Sequence, residues 1–229
     1  YAGSKGSAVF VLNPKSESDG ALVINQSNSE WVYDGANHLP TGIEVKWNDT
    51  DELTEGVDYT LSYSYNGAAD QPLTADTQFI NAGVYVVTAK AQGNYAGTAS
   101  FVVTITPKNI ADDDVDVTIP ETIYNAGAQK ADITVTDLRT PLVLDQDYTV
   151  GQDTYTDANE AGYEIVITGK GNYFGTWTER FVIQKATIIA TCTEQTMTYG
   201  DQPPAFWSEE NPDGVKFTFT GIYNDEVTV

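Results

Sequence analysis

The chain of 229 residues is long enough for two or three small β domains. It carries 11 Lys and Arg against 33 Asp and Glu, a formal charge of 11 − 33 = −22. That field repels phosphate backbones and anionic lipid head groups, so nucleic acid and membrane surfaces are excluded as partners. The one His and one Cys exclude a disulfide framework and most metal or triad chemistry.

A hydrophobic content of 41% is more than a disordered acidic tail would carry, so we expect the chain to fold. No apolar run approaches the roughly 18 residues that span a bilayer, and no charged-then-apolar leader opens the sequence. We therefore expect any signal or anchor to lie outside this sequence.

A repeated hairpin motif is the main signal in the sequence. Gly-Asn-Tyr-x-Gly-Thr occurs at residues 93–98 and 171–176, and the chain opens partway through a similar element with Tyr-Ala-Gly-Ser. Residues 1–15 are accordingly predicted to be the closing strand of a preceding repeat, with Ala8, Phe10 and Leu12 on one face. A lone strand needs a partner. We expect it to pair with an open sheet edge, either on the adjoining repeat or by head-to-tail strand exchange through the truncated ends of an otherwise mostly monomeric protein.

Repeat 1 is predicted to span residues 16–108. Its landmarks in chain order are Tyr-Asp-Gly at 33–35, Asp-Tyr-Thr at 58–60, Asn-Ala-Gly at 81–83 and the hairpin motif. Residues 58–65 alternate polar and apolar, as a half-buried strand requires, and Asn66-Gly67 then suits a tight turn with positive φ. The closing strand carries Phe101, Val103 and Ile105 on one face.

Repeat 2 is predicted to span residues 109–185, with the same landmarks at 124–127, 147–149, 160–163 and 171–176. The closing strands end at Pro14-Lys15, Pro107-Lys108 and Gln184-Lys185. Residues 186–229 are predicted to be the truncated start of a third repeat of another class, because Tyr199-Gly200-Asp201 opens it in place of Tyr-Asp-Gly.

Short strand signals that recur at close, regular spacing, without a helical period, predict an all-β fold of tandem small immunoglobulin-like β-sandwiches. Tyr85 and Tyr163 follow Ala-Gly steps and are either ordinary strand aromatics or tyrosine corners, in which the hydroxyl bonds back to the main chain. The alternative is a helix-poor β-grasp-like repeat, since a hairpin-rich pattern does not separate the two.

The series Tyr-Asp-Gly-Ala-x-His-x-Pro at 33–40, Gly-x-Asp-Tyr-Thr at 56–60, Asn-Ala-Gly and Gly-Asn-Tyr-x-Gly-Thr resembles the tandem repeats of large bacterial cell-surface adhesins. Tyr-Gly-Asp-x-x-Pro at 199–204 is similar to the MBG repeat class. The resemblance implies an extracellular protein at the bacterial cell surface or cell wall. Its repeats would space or present a binding tip, with host glycan or an extracellular protein as possible partners.

Two acidic stretches are candidate calcium sites, the Asp-rich run at 112–116 and Asp49, Asp51, Glu52 and Glu55. Neither has the spacing of a known calcium loop, so we interpret both as solvated and predict no metal site. His38 is interpreted as a structural turn residue beside Pro40, and Cys192 as a small buried hydrophobe. With no catalytic or cofactor-binding residues and no cofactor predicted, we interpret the chain as not an enzyme.

Two features remain open from sequence. Lys15, Lys108 and Lys185 recur at junctions, outside the predicted sandwich interior, without the signature of an intramolecular crosslink. Trp31, Trp47, Trp177 and Trp207 are candidates for sugar stacking, although half-buried strand aromatics are the usual outcome.

The leading functional hypothesis is a semi-rigid stalk or spacer in adhesion, because the junctions leave little linker to bend. The alternative is a ligand-binding adhesin module. The loop between the Asp-Tyr-Thr strand and the strand that carries the corner tyrosine is longer in repeat 1 than in repeat 2. The insertion contains residues 67–75, which is where binding would be built.

Overall fold

The computed structural model describes residues 12–16, 18–192, 196–203, 205 and 217–220, the last four as backbone only. All regular structure in these residues is β-strand, so the predicted all-β class is confirmed and the β-grasp-like alternative is not formed. Within this part of the chain, no helix is long and apolar enough to cross a membrane. Most of the predicted closing strand at 1–15 lies outside the described residues, and Leu12 is 94% exposed.

The chain divides into two compact units. Unit 1 comprises Tyr1–Asp112 with Gly169–Gly175, and unit 2 comprises Asp113–Thr168 with Thr176–Val229. The repeat boundaries at 16–108, 109–185 and 186–229 stay predictions.

The first eight strands of unit 1 are β1 (Leu22–Ile24), β2 (Ser29–Val32), β3 (Val45–Trp47), β4 (Asp51–Glu52), β5 (Tyr59–Tyr65), β6 (Gln71–Pro72), β7 (Gly83–Ala91) and β8 (Thr98–Thr106). They form two sheets. The first sheet has the order β1-β3-β4 and is antiparallel. The second has the order β2-β8-β7-β5-β6, in which β2 runs parallel to the closing strand β8.

The core of unit 1 follows the period-2 pattern. Tyr59 and Leu61 of β5 point inward, while Thr60 between them is exposed. The inward-facing residues of β7 (Tyr85, Val87, Ala89) and β8 (Phe101, Val103, Ile105) are at most 4% exposed and share one core cluster with Val45 and Trp47 of the other sheet. Burial of one such Ile, Val or Phe side chain stabilises the fold by about 1.5–3 kcal/mol, which holds the two sheets together.

The tyrosine-corner alternative is confirmed for both residues. The Tyr85 hydroxyl donates to the Asn81 carbonyl oxygen at 3.0 Å, and the Tyr163 hydroxyl donates to the Asp157 carbonyl oxygen at 3.0 Å. Each bond fixes the corner at which the chain enters the penultimate strand, as in immunoglobulin-like sandwiches.

Unit 2 repeats this plan. Its strands include β10 (Val115–Thr118), β11 (Thr122–Ile123), β12 (Gln129–Lys130), β13 (Thr134–Asp137), β14 (Thr140–Pro141), β15 (Tyr148–Val150), β16 (Thr154–Tyr155), β17 (Asn159–Gly169, whose last residue falls in unit 1) and β19 (Thr176–Gln184). The two larger sheets have the orders β10-β13-β14 and β11-β19-β17-β15, again with the edge strand β11 parallel to the closing strand β19, and β12 pairs with β16. The core includes Val135, Ile165, Ile167, Phe181 and Ile183, each at most 1% exposed.

The backbones of two junction lysines, Lys15 and Lys108, are paired with other segments of the fold. In unit 1, Lys15 forms an isolated parallel bridge with Tyr95, and its N–H donates to the Asn94 carbonyl oxygen at 2.7 Å. Also in unit 1, β9 (Lys108–Asn109) pairs in parallel with β18 (Tyr173–Phe174). The prediction that these lysines lie outside the interior is wrong for Lys108, which is only 7% exposed because its strand is laid against another.

Cys192 is a second correction, because it is exposed rather than buried. It ends β20 (Ile189–Cys192), which pairs with β21 (Phe217–Thr220). All four residues of β20 are exposed.

Candidate functional site

The most distinctive cluster in unit 1 is formed by Trp31, His38 and Asp34, here called the Trp31 stack. The parallel pairing of β2 with β8 places Trp31 opposite the buried Ile105, at the outer edge of the sheet. Because no further strand covers this edge in the described part of the chain, 48% of Trp31 remains exposed.

His38 supports the indole from behind. The two rings are stacked with centroids 4.5 Å apart and an interplanar angle of 22°. The His38 side chain is only 8% exposed, and its backbone N–H donates to the Phe79 carbonyl oxygen at 2.8 Å. The side-chain oxygen of the neighbouring Asn37 accepts from the Phe79 N–H at 2.8 Å. The loop that carries His38 is therefore held by hydrogen bonds to both backbone groups of Phe79.

Asp34 fixes the imidazole. Its Oδ1 lies 2.8 Å from His38 Nε2 and accepts the Ala36 N–H at 2.8 Å. The Ala36 N–H lowers the pKa of Asp34 most, the His38 contacts lower it further, and desolvation opposes them. The carboxylate is therefore ionised at neutral pH, and an ionised carboxylate can only accept, so Nε2 carries the proton of this bond. The stack is thus a preorganised aromatic platform with a negative charge beside it.

Repeat 2 lacks this platform. β8 and β19 both have nine residues, and the parallel pairing aligns Trp31 with Thr122 and Val32 with Ile123. Counting on from there aligns His38 with Gln129. Thr122 Oγ1 and Gln129 Nε2 are both buried, with no hydrogen-bond partner among the described residues.

The other candidate tryptophans do not form a binding face. Trp47 is 1% exposed and packs against Tyr95 at 5.4 Å between ring centroids. Trp177 is half-buried, and its Nε1 donates to Glu179 Oε2 at 3.3 Å. Trp207 lies outside the described residues.

The acidic stretches are not gathered into a metal site in the part of the chain that the structure describes, where no group of three or more His, Cys, Asp or Glu could hold an ion. Asp51 lies 3.6 Å from Lys15 Nζ in an ion pair, and Val115 within the other stretch is buried at the start of β10.

Two open clefts lie in unit 1. One, of about 370 Å³, includes Leu73, Thr74 and Ala75 at the end of the predicted insertion, together with Pro40 and Glu55. The other, of about 530 Å³, lies beside Val32 and includes the exposed ring of Phe174 and the carboxylate of Asp112. The second cleft is next to the edge that carries the Trp31 stack.

The sequence indicated Trp31 and His38 as separate candidates and did not predict that their side chains are in contact. Their contact depends on the register of residue 31 against 105 and on the bond from residue 38 to 79, neither of which a local pattern reveals. The available signal was the difference between the repeats, since the Trp and the His are both replaced in repeat 2.

No protein-family model and no curated protein matches the chain. Solved structures that are similar to it include a chimeric titin Z1Z2 functionalised with a KLER peptide from decorin, at 13% identity and a TM-score of 0.26, covering 72% of this chain and 97% of that one. Two protocadherin structures, PcdhgB3 EC1-4 and a gammaB7 EC3-6 cis-dimer, are 17% identical with TM-scores of 0.22 and 0.24. They cover 74% and 86% of this chain and 50% and 56% of theirs. We draw no functional conclusion from similarities at these TM-scores.

Proposed function

We propose that this chain is a non-catalytic repeat region of an extracellular bacterial surface protein, acting as a semi-rigid stalk or spacer in adhesion. The observation that carries the proposal is the short connection at the predicted boundary between repeats 1 and 2. β8 ends at Thr106 and β9 begins at Lys108, so a single residue, Pro107, separates two hydrogen-bonded strands, both of which lie in unit 1.

A connector of this kind has little freedom to bend. Proline fixes its own φ through its ring and restricts the residue before it to extended conformations. The flanking residues are held by sheet hydrogen bonds, with the Tyr33 N–H on the Thr106 carbonyl oxygen at 2.8 Å and the Lys108 N–H on the Asn172 carbonyl oxygen at 2.9 Å.

Charge and motif content support the same role. A net charge of −22 opposes close association of like surfaces, which suits a mostly monomeric module held out in solvent. The surface location rests on the resemblance of the Tyr-Asp-Gly and Gly-Asn-Tyr motifs to adhesin repeats.

The spacer role is tested by measuring the distance distribution between one spin label in each repeat. Thr60 and Thr178 are exposed strand residues, and Thr60→Cys with Thr178→Cys in a Cys192→Ser background provides the two sites. We expect a narrow distribution in the parent protein. Insertion of Gly-Ser-Gly-Ser after Pro107 should broaden it markedly, since such a linker behaves as a flexible coil.

The matched control is the same insertion after Ala69, within the exposed loop that precedes β6. It adds the same residues at a site that does not join the repeats, so the distribution should stay narrow. A parent distribution as broad as that of the Pro107 insertion would rule out the spacer role.

A further inference from the structure

The edge of β2 in unit 1 presents unpaired backbone groups. Among the described residues β2 pairs with β8 alone. The Tyr33 N–H points to β8, and in a strand alternate residues point the same way, so Trp31 also bonds toward β8. The N–H and C=O groups of Glu30 and Val32 therefore point outward from the sheet.

Within the described residues this edge is only partly protected. Natural edge strands are blunted by short length, by charged residues, by Pro or by a covering loop. β2 has four residues and one charge, Glu30, but no Lys or Pro, and Trp31 is 48% and Val32 58% exposed. An open edge with exposed apolar side chains is the feature to which an extended peptide adds as a further strand.

The negative charges around the β2 edge favour a positively charged peptide. The ionised Asp34 lies on the Trp31 side through its contact with His38. Glu30 alternates with Trp31 onto the other face, where the cleft beside Val32 includes Asp112. A Trp face attracts cations more strongly than other aromatic rings do, and carboxylates nearby add to that attraction.

From this geometry we propose that the β2 edge of repeat 1 docks an extended peptide segment bearing Lys or Arg. The segment adds as a strand through the backbone groups of Glu30 and Val32, and one basic side chain lies over Trp31 toward Asp34. The proposal does not depend on the spacer role, because a flexible connector would leave this edge unchanged.

Other occupants fit less well. A second copy of the chain carries the same charge of −22 and is repelled. A neutral oligosaccharide could stack on Trp31, but it would use neither the outward backbone groups nor the surrounding carboxylates.

The direct test is amide hydrogen exchange by NMR on the unmodified chain with an acetylated, amidated octapeptide of alternating Thr and Lys. The amides of Glu30 and Val32 should gain protection, while those of Trp31 and Tyr33, already bonded to β8, should change little. No gain at Glu30 and Val32 at saturating peptide would overturn the proposal.

Variants then test the side-chain contacts by calorimetry. Trp31→Ala should weaken binding about three- to tenfold, the size of one cation–π contact. Asp34→Asn keeps the acceptor of the Ala36 N–H and should also weaken binding. Ile123→Ala is the matched control, since Ile123 is 59% exposed at the equivalent edge of repeat 2, and should leave binding unchanged.

Two modified peptides separate strand addition from simple charge attraction. An extended strand directs alternate N–H groups to opposite sides, so N-methylation of one alternate set should abolish binding and of the other set should not. Equal loss with both sets, binding insensitive to both variants, or Trp31-dependent binding of cellohexaose in place of the peptide would contradict the proposal.

Discussion

Repeats 1 and 2 share one backbone frame and differ in what their edge strands display. Tyr33 and Tyr124 each donate a backbone N–H to the closing strand at 2.8 Å. Asp34 Oδ1 accepts the N–H of Ala36 at 2.8 Å, and Asn125 Oδ1 accepts that of Gly127 at 2.9 Å. The turn is therefore preserved while one carboxylate becomes an amide.

The side chains beyond that frame diverge. Repeat 1 has a Trp and a His in contact where repeat 2 has Thr122 and Gln129, and β2 has four residues where β11 has two. The main-chain hydrogen bonds and the apolar inner face are therefore sufficient to form the sandwich. The side chains of the edge strand can differ between the repeats without disrupting it. The predictions below test that separation.

The largest effect should come from the inner face of the closing strands. Phe101 is 2% exposed in β8, and the aligned residue in β19 is Glu179, whose carboxylate accepts from Trp177 Nε1. Phe101→Ala should cost repeat 1 about 3–5 kcal/mol because it leaves a cavity, and Glu179→Ala should cost repeat 2 less than about 1 kcal/mol. Hydrogen exchange of peptides from each repeat measures the two effects separately. Comparable losses would mean that the alignment of the two strands is wrong.

The next largest should be at the junction lysines. Lys108 is 7% exposed, whereas the Lys15 side chain is 48% exposed and lies 5.3 Å from the Tyr95 ring centroid. Lys108→Ala should reduce the free energy of unfolding by about 2 kcal/mol, since a buried side chain is removed. Lys15→Ala should cost less than about 1 kcal/mol, as exposed cation–π contacts do. Urea denaturation measures both, and an equal cost would remove the distinction between the junctions.

Much of the frame could be predicted from the sequence, because it rests on local rules. Alternation over residues 58–65 predicted β5, and Asn66 and Gly67 have the positive φ values of 50° and 75° expected of the turn. The Ala-Gly steps indicated both tyrosine corners as one of two alternatives, since the corner bond reaches back only a few residues.

The errors arose where burial depends on distant partners. The exposure of Cys192 depends on whether a second sheet covers β20, and the burial of Lys108 depends on its pairing with β18. The Trp31 stack likewise needs the register between β2 and β8, two strands that lie far apart in the sequence. Periodicity indicates which face of a strand is apolar, and it does not indicate what lies over that face.

A third comparison concerns the two tyrosine corners. The Tyr85 bond is part-buried, with the residue 4% exposed, whereas the Tyr163 bond is exposed. Tyr85→Phe should cost about 1 kcal/mol at neutral pH because the Asn81 carbonyl loses its donor, and Tyr163→Phe should cost less than about 0.5 kcal/mol. Chemical denaturation of both variants provides the measurement.

Tyr85 also makes the stability of unit 1 depend on pH in the alkaline range. Burial raises the pKa of Tyr85 from 10.0 to about 12, with a further contribution from Tyr65. The raised pKa means that folding favours the neutral, protonated form of Tyr85. Its contribution to the free energy of unfolding is therefore complete below pH 10 and is lost as the pH rises from 10 through about 12. Tyr85→Phe should flatten that decline, and an unchanged alkaline curve would contradict the assignment.

The smallest effect should come from the carboxylate at the start of the repeat 1 turn, where repeat 2 has an amide. The pKa of Asp34 is lowered chiefly by the Ala36 N–H, so its contribution to stability is present above the unfolded value near 3.8 and is lost as the pH falls through the folded pKa. Asp34→Asn introduces the amide of the repeat 2 turn and keeps the acceptor, so it should shift Tm by less than about 2 °C at pH 7. Between pH 4 and pH 2, however, repeat 1 should lose less stability in the variant than in the parent, because the titrating group is gone.

Repeat 2, whose Asn125 does not titrate, should respond to acid identically in both proteins. Thermal unfolding across this pH range, with exchange of repeat 1 and repeat 2 peptides followed separately, makes the measurement. An unchanged acid response of repeat 1 would show that ionisation of Asp34 does not contribute to the stability of the fold.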